Sequence, residues 1–478
     1  MTVGIASYGS YVPYRRLKRA AIGQVLGIPA GKGERAVASF DEDSVSMAVE
    51  AARDALRGLD ARAVPPAAPA RDVRTLLFAT TTPPYAEKLN AALVGAAARL
   101  PLEIRAADLT GSPRVGLTAL LQAADAARAN GGSALVAIAD CRVAAPEGKA
   151  EQAGGDAGVA FVVGEDPIAE IVGSASVTRE FLDIWRAPGE RFAHAWEERF
   201  ALTQAYGPLL GAAVKRVLEQ AQCAPSNLAK VILDAPNPRA ADELARGAKL
   251  APEQLADPLA LTVGQTGAAH APLVLASVLA AAKPGDLILV ASAGDGADAL
   301  LLKVTPRAAR YTQPRSVGRL IESKGDVAYG RYLKWREILP TEPPRRPDPD
   351  RPAAPPMLRS ETWKFGFVGT QCTACGTPQL PPQRICITCG QRDRMEPYPF
   401  ADRPAKVATF TLDRLAYSLN PPTVNVVVDF AGGGRFLGEM TDCEPDKVQI
   451  GDEVEMTFRR MHSAGGVHNY FWKCRPRR

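Results

Sequence analysis

The sequence predicts a layered α/β domain followed by a small metal-knuckle module and a β-barrel. Three observations carry this. Apolar runs of strand length alternate with helical periodicity over the first 305 residues. A strand–turn–strand pattern occurs twice in that stretch. Two Cys-x2-Cys pairs then precede short segments rich in Val, Phe and Thr.

The elements follow in order. Val45, Ala48, Val49, Ala52, Ala55 and Leu56 recur at helical spacing, with Asp43 or Ser44 placed to cap the helix. A Pro/Ala stretch, Val64 to Ala70, separates this helix from Val73–Thr80, a buried strand. Leu117, Leu120, Leu121 and Ala124 mark a second helix, and Gly131-Gly132 leads into the strand Ala134–Ala139. Val159–Val163 reads as another strand. The pattern then returns. Val231–Leu233, Leu287–Ala291 and Ala299–Val304 read as strands, and Leu273–Ala282 as a helix. Gly132–Ala139 with Gly158–Val163 parallels Gly285–Ala291 with Ala299–Leu302, which suggests a duplicated α/β half. The Gly-rich turns at Gly154–Gly158 and Gly294–Gly296 have no dinucleotide or Walker context, so no nucleotide hydrolysis is expected.

Between Pro340 and Pro356, eight of 17 residues are proline, which reads as an extended connector. Lys406–Leu412, Thr423–Phe430, Arg435–Glu439 and Glu453–Arg459 are strands of the spacing found in small barrels. The expected division is therefore 1–168 and 169–305 for the two halves, 306–360 for a Pro/Arg-rich linker, 361–395 for the metal module and 396–478 for the barrel.

A chain of 478 residues with 46% hydrophobic and 23% charged residues is globular and too long for one core. A net charge of +5 does not by itself call for a nucleic-acid partner. No basic segment followed by an apolar core opens the sequence, and no run of 18 apolar residues occurs, so a cytoplasmic chain away from membranes is expected. Thiols stay reduced there. Cys141, Cys223, Cys443 and Cys474 are scattered and read as small buried hydrophobes.

The other four cysteines form the pattern Cys-x2-Cys-x10-Cys-x2-Cys: Cys372, Cys375, Cys386 and Cys389. Two residues between thiolates let one tight turn aim both sulfurs at one metal, and Gly376 and Gly390 relieve the two turns. Four thiolates close a tetrahedron around Zn²⁺ and leave no open position, so the metal is structural; iron is the minor alternative.

Residues from about Trp363 to Arg478, including Gln379–Cys386 and Phe436–Met440, resemble the rubredoxin-like zinc ribbon plus OB-fold module that accompanies thiolases, the domain of unknown function 35 family. The first 305 residues resemble the hydroxymethylglutaryl-CoA synthase branch of the thiolase superfamily. Tyr8–Pro13, Gly31–Val37, Asp41–Ala52, Asp183–Pro188 and Lys283–Leu289 carry that resemblance. It implies a five-layered αβαβα fold with duplicated halves, usually dimeric. It also implies an acyl-CoA ligand and a barrel that docks acyl-CoA or a separate thiolase subunit.

The motif positions of that branch are altered here. Its nucleophilic Cys opens a helix, where the helix N-terminus lowers the thiol pKa. Aligning Gly116 and Ala119-Leu120 puts Pro113 at that position, with Ser112 one residue earlier. The branch's His falls on Asp234, followed by a retained Asn237. Its Gly-Asn-Thr turn reads Gly264-Gln265-Thr266, and its catalytic Glu falls near Thr81. The resemblance therefore implies a vestigial pocket at Thr81, Pro113, Asn237 and Gln265. His270 stands at a loop-to-helix transition nearby and can serve as a base for Ser112. Its other reading is a satisfied, partly buried histidine. His194, His462 and His468 have no partner pattern.

Three functional readings stay open. One is a degenerate subunit acting with a separate thiolase in acyl-CoA bond formation or thiolysis. The second is a self-sufficient acyl-CoA acyltransferase using Ser112, Asp234 or His270. The third is a nucleic-acid protein, in which Arg459, Arg460, Arg475, Arg477 and Arg478 flank Tyr470, Phe471 and Trp472 as a stacking surface. A solvated basic tail, or one that meets the CoA phosphates, is the competing reading of that last cluster.

Overall fold

The computed structural model describes residues 2–59, 72–345 and 347–478. The expected Pro/Ala stretch Val64 to Ala70 lies outside the described residues.

The first half consists of β1 (Gly4–Tyr11), α1 (Ser44–Leu59), β2 (Val73–Ala79), β3 (Arg105–Leu109), α2 (Val115–Asn130), β4 (Ser133–Asp140) and β5 (Ala157–Gly164). The second half repeats the plan with β6 (Ala169–Thr178), α3 (Gly207–Gln220), β7 (Lys230–Asp234), α4 (Pro238–Gly247), α5 (His270–Leu279), β8 (Leu287–Gly294) and β9 (Gly296–Val304). Strand order in the first half is β3-β2-β4-β5-β1, and in the second half β7-β8-β9-β6. In both, the last strand of the half runs antiparallel to its neighbours. The counterpart of β3 in the second half shrinks to a single parallel bridge, Val231 with Leu255. The strand–turn–strand repeat read in the sequence is thus β4–β5 and β8–β9.

The halves meet where β1 and β6 pair over two residues, Gly4 with Glu170 and Ile5 with Ala169. The sheet folds around two helices. α2 packs on β2, β4 and β5 and also on β9, while α5 packs on β1, β5, β7 and β8. α1 covers the outer face of β1, β4 and β5, and α3 covers β6, β8 and β9. These are the five layers. Gly116 lets the two central helices approach: a Cβ there would lie 1.9 Å from the Ala268 carbonyl oxygen, one turn before α5.

The segment read as a linker from residue 306 is folded in its first part. Tyr311 packs on Tyr8 and exchanges two hydrogen bonds of 3.0 Å with its backbone. α6 (Val317–Glu322) buries Val317 and Leu320 in the first domain's core. α7 (Tyr329–Trp335) buries Tyr329, Tyr332 and Trp335 against Leu17, Ile22 and Val37. The aromatic and aliphatic content of 311–335 drives this packing; the proline-rich stretch that follows has none to offer.

Beyond it, β10 (Val368–Cys372), a two-residue strand Pro378–Gln379 and β11 (Met395–Pro399) form the ribbon. The barrel closes as β12 (Ala405–Asp413), β13 (Thr423–Phe430), β14 (Arg435–Met440), β16 (Val467–Pro476) and β15 (Glu453–Ala464). The last strand was not read in the sequence. It makes the tail part of the barrel, which corrects both the stacking-surface and the solvated-tail readings: Tyr470, Trp472, Arg459, Arg475 and Arg478 are buried. One apolar cluster runs from Val45, Ala48 and Val49 of α1 through Phe367 and Phe400 to Phe458 and Trp472, so barrel and first half share a core. Among the described residues, no helix is long and apolar enough to cross a membrane.

Candidate functional site

Parallel strands β2, β4 and β7 end near the amino ends of the central helices, and the candidate positions gather there. Asp140, the last residue of β4, is fully buried. Its carboxylate accepts from Thr80 Oγ1 (2.9 Å), Thr81 N (2.6 Å), Thr81 Oγ1 (2.8 Å) and, from the other half, Ala268 N (2.8 Å). Thr81 therefore spends its hydroxyl on holding Asp140. Arg186, ahead of the second half's first helix, donates to the Thr81 carbonyl at 2.9 Å.

Asp234 ends β7 and is buried. It accepts from Gln265 Nε2 at 2.7 Å and from Ser292 Oγ at 3.1 Å. The other end of the Gln265 amide accepts from Gly267 N at 2.9 Å. Asp234 and Gln265, two of the positions singled out in the sequence, are thus bonded to each other. Asn237 caps α4, accepting from Arg239 N at 3.1 Å, and its amide reaches Glu198 at 3.4 Å.

At the start of α2, Pro113 and Ser112 are half-buried, and Ser112 sits against Gly294 at the end of β8. The Ser112 hydroxyl makes no hydrogen bond among the described residues. His270 is buried and opens α5; its Nδ1 accepts from Thr266 N at 3.4 Å. The expected Ser112–His270 pair is therefore not joined, because the imidazole turns into its own helix entry. Of the scattered cysteines read as buried, Cys443 and Cys474 are buried, but Cys141, next to Asp140, and Cys223 are only partly covered; burial still pushes the Cys141 pKa up to about 12, a poor nucleophile. Asp140 and Ser292, the two residues that organise this pocket with Asp234, were not read in the sequence. A lone Asp closing an apolar strand was the available signal for Asp140; Ser292 lies inside a strand and gave none.

The cysteine cluster is built as its spacing demands. Gly376 and Gly390 take φ of +75° and +70°, and their N–H groups close each knuckle onto the Cys372 and Cys386 carbonyls at 2.8 and 3.0 Å. All four sulfurs lie within 4.8 Å of one another. Cys372 and Cys389 are 3.7 Å apart and Cys375 and Cys386 3.5 Å. Zn–S bonds of ~2.3 Å in a tetrahedron set an S···S edge of about 3.8 Å, so the donor set fits that ion. With zinc bound, the ion would cross-link the two knuckles and supply no reactive position.

Comparison with known proteins agrees with both parts. Residues 366–396 match the rubredoxin-like zinc ribbon domain of ChsH2, and residues 399–459 its C-terminal OB-fold domain. Residues 218–303 match the C-terminal part of 3-oxoacyl-[acyl-carrier-protein] synthase III. The chain is 31% identical over 351 residues to a hydroxymethylglutaryl-CoA synthase of Archaeoglobus fulgidus, covering 70% of this chain and 99% of that protein. It is 32% identical over 351 residues to that of Methanopyrus kandleri, covering 70% and 98%. Among solved structures it superposes on MvaS in complex with 3-hydroxy-3-methylglutaryl coenzyme A with a TM-score of 0.62 at 21% identity, covering 73% of this chain and 95% of that one. A second synthase, complexed with CoA, gives a TM-score of 0.60 at 16% identity, covering 70% and 90%.

Proposed function

This chain belongs to the hydroxymethylglutaryl-CoA synthase family, and from that premise we propose that it is a non-catalytic or assisted member working beside a separate thiolase. Its synthase-like domain would present an acyl-CoA pocket. Its zinc-ribbon and OB-fold module would dock the thioester or the partner. The reaction served is carbon–carbon bond formation or thiolysis of an acyl-CoA.

One observation carries this reading. Where the family places a thiol and an imidazole, this chain has Pro113 and Asp234, and Asp234 is already held by Gln265 and Ser292. Both carboxylate oxygens of Asp234 are thus engaged, one by the Gln265 amide and one by the Ser292 hydroxyl. Ser292 donates its hydroxyl to that carboxylate and Pro113 offers no thiol, so the step that would form a covalent acyl-enzyme through the family's cysteine lacks its first bond. The same bonds give the pocket a fixed polar wall, which suits holding a thioester rather than attacking it.

The test is native purification followed by acyl-CoA thiolysis and condensation assays with and without whatever co-purifies. A stoichiometric thiolase, with turnover only in its presence, is the expected result. Turnover by the homogeneous chain alone, lost in a Ser112→Ala/His270→Ala variant, would replace this reading by the self-sufficient acyltransferase.

A further inference from the structure

A cavity of about 250 Å³ opens where the end of α1, the segment before α6 and the barrel meet. Six arginines line it: Arg57, Arg315, Arg319, Arg403, Arg477 and Arg478. Two carboxylates, Asp402 and Glu455, face them. Those two are already committed. Asp402 is bound by Arg53 at 2.8 Å, Arg57 at 2.5 Å and Arg99 at 3.1 Å. Glu455 is bound by Arg315 and Arg475, each at 2.8 Å.

The remaining positive charge has little to answer it. The exposed Arg319 guanidinium has no partner among the described residues, and Arg477 reaches only the exposed Glu453 at 3.5 Å. Arg403 lies over the Tyr398 ring at 3.8 Å and donates to the Pro399 carbonyl. Arg478 is 5% exposed; its Nε and Nη2 donate to Ser323, Val12 and Leu320, and its Nη1 alone of the three nitrogens has no hydrogen-bond partner among the described residues. Burial lowers the pKa of Arg403 and Arg478, in contrast to Arg315, where Asp54 and Glu455 outweigh burial and raise it. A buried guanidinium nitrogen left without an acceptor costs free energy unless an anion arrives.

We propose that this cavity is a binding site for a phosphate-class anion, whether free phosphate or pyrophosphate or the phosphoryl end of a nucleotide. Arginine forks match phosphate oxygens two at a time, and the cavity's size suits one or two phosphoryl groups. The site is separate from the pocket described above. Ser44, at the first turn of α1, touches the Thr82 carbonyl beside that pocket, whereas Arg57 is 13 residues along, about 20 Å at 1.5 Å per residue. The bound anion would bridge the connector (Arg319) and the barrel (Arg403, Arg477, Arg478), fastening the two together.

The test is calorimetric titration of the full chain with orthophosphate, pyrophosphate and adenosine 3′,5′-bisphosphate, each against chloride at matched ionic strength. The double variant Arg319→Gln/Arg477→Gln changes only exposed side chains and keeps the fold, which circular dichroism checks. Arg186→Gln, beside the other pocket, is the control. The expected result is saturable binding of at least one probe that weakens about tenfold or more in the double variant and not in the control, since each charge-assisted hydrogen bond is worth about that factor. Tighter binding of pyrophosphate marks a free anion; tighter binding of the bisphosphate marks a nucleotide. Binding of no probe above the chloride control overturns the proposal. So does binding that the double variant leaves unchanged or that the control abolishes.

Discussion

At the start of α2 the buried polar groups are small, sparsely charged and bonded to one another; on the barrel face of α1 they are ionised and paired. Glu50 receives Arg475 at 2.7 Å and Arg53 at 2.9 Å, and its Oε1 accepts from Phe458 N at 3.1 Å. Asp54 receives Arg315 at 2.7 Å, and Lys473 bridges Asp41 at 3.1 Å and Glu439 at 2.7 Å. Arg53 also lies over the Trp472 ring at 4.7 Å. Burial alone would raise the Glu50 carboxyl, but Arg475, Arg53 and Arg315 pull it well below the usual carboxylate range. Charge is thus concentrated where two domains meet and thinned where chemistry would occur. Paired burial adds little net stability over apolar packing, but it leaves few ways to dock the barrel. The energy comes from the shared apolar core.

Four experiments break or sharpen that contrast. The largest effect belongs to the ribbon, which has neither kind of cluster. A strong zinc chelator should unfold residues 366–396 outright while the barrel stays on α1, read by hydrogen exchange of each segment. Loss of exchange protection in α1 as well would mean that the ribbon, not the ion pairs, holds the barrel. Next, Glu50→Gln should cost about 3–5 kcal/mol in chemical denaturation, because it strands Arg475 and Arg53. Acid should act on the same face. Burial pushes the Glu455 carboxyl up, but Arg315 and Arg475 bring it down to about 2. Its folded pKa is thus below the unfolded 4.5, so its stabilisation is complete above about pH 4.5 and is lost as pH falls through 2. Arg315→Gln should narrow that window in a denaturation series against pH. Smallest is the pocket: Asp234→Asn should cost about 1 kcal/mol or less, and Ser112→Ala about 0.5 kcal/mol or less. A cost at Asp234 equal to that at Glu50 would erase the distinction.

The same contrast explains what could be read in advance. Strands such as Val73–Ala79 and Leu287–Gly294 are apolar throughout and announce themselves. So do the knuckles, whose chemistry is local in sequence. α1 was legible as a helix, capped by Asp43 Oδ1 accepting from Ser46 N at 2.9 Å, but not in what surrounds it. Glu50, Arg53, Asp54 and Arg57 fall on one helical stripe that any amphipathic reading assigns to water. Their partners outside the helix lie some 260 to 425 residues away, and nothing in α1 itself foretells the cover. β16 escaped for a related reason: its Arg and Lys residues broke the apolar alternation while facing buried carboxylates. In the pocket, positions could be found by motif, but their bonding could not. Asp234 meets Gln265 across 31 residues and Ser292 across 58, contacts that only the folded strands create.

The charged face of α1 also has a kinetic meaning. Asp41, Glu42, Glu50 and Asp54 on one side meet Arg459, Lys473 and Arg475 on the other, with Arg315 reaching in from the connector. Cut in the proline-rich stretch, the two pieces would meet through pairs of both signs, because Arg53, Arg57 and Arg99 bind Asp402 while Asp41 and Glu50 bind Lys473 and Arg475. Such a mosaic selects one docked register after encounter and does little to draw the pieces together from a distance. Tethered in one polypeptide, the same surfaces need no such attraction. The covalent connection keeps each charged face in the company of its own barrel and away from the barrels of neighbouring molecules during synthesis.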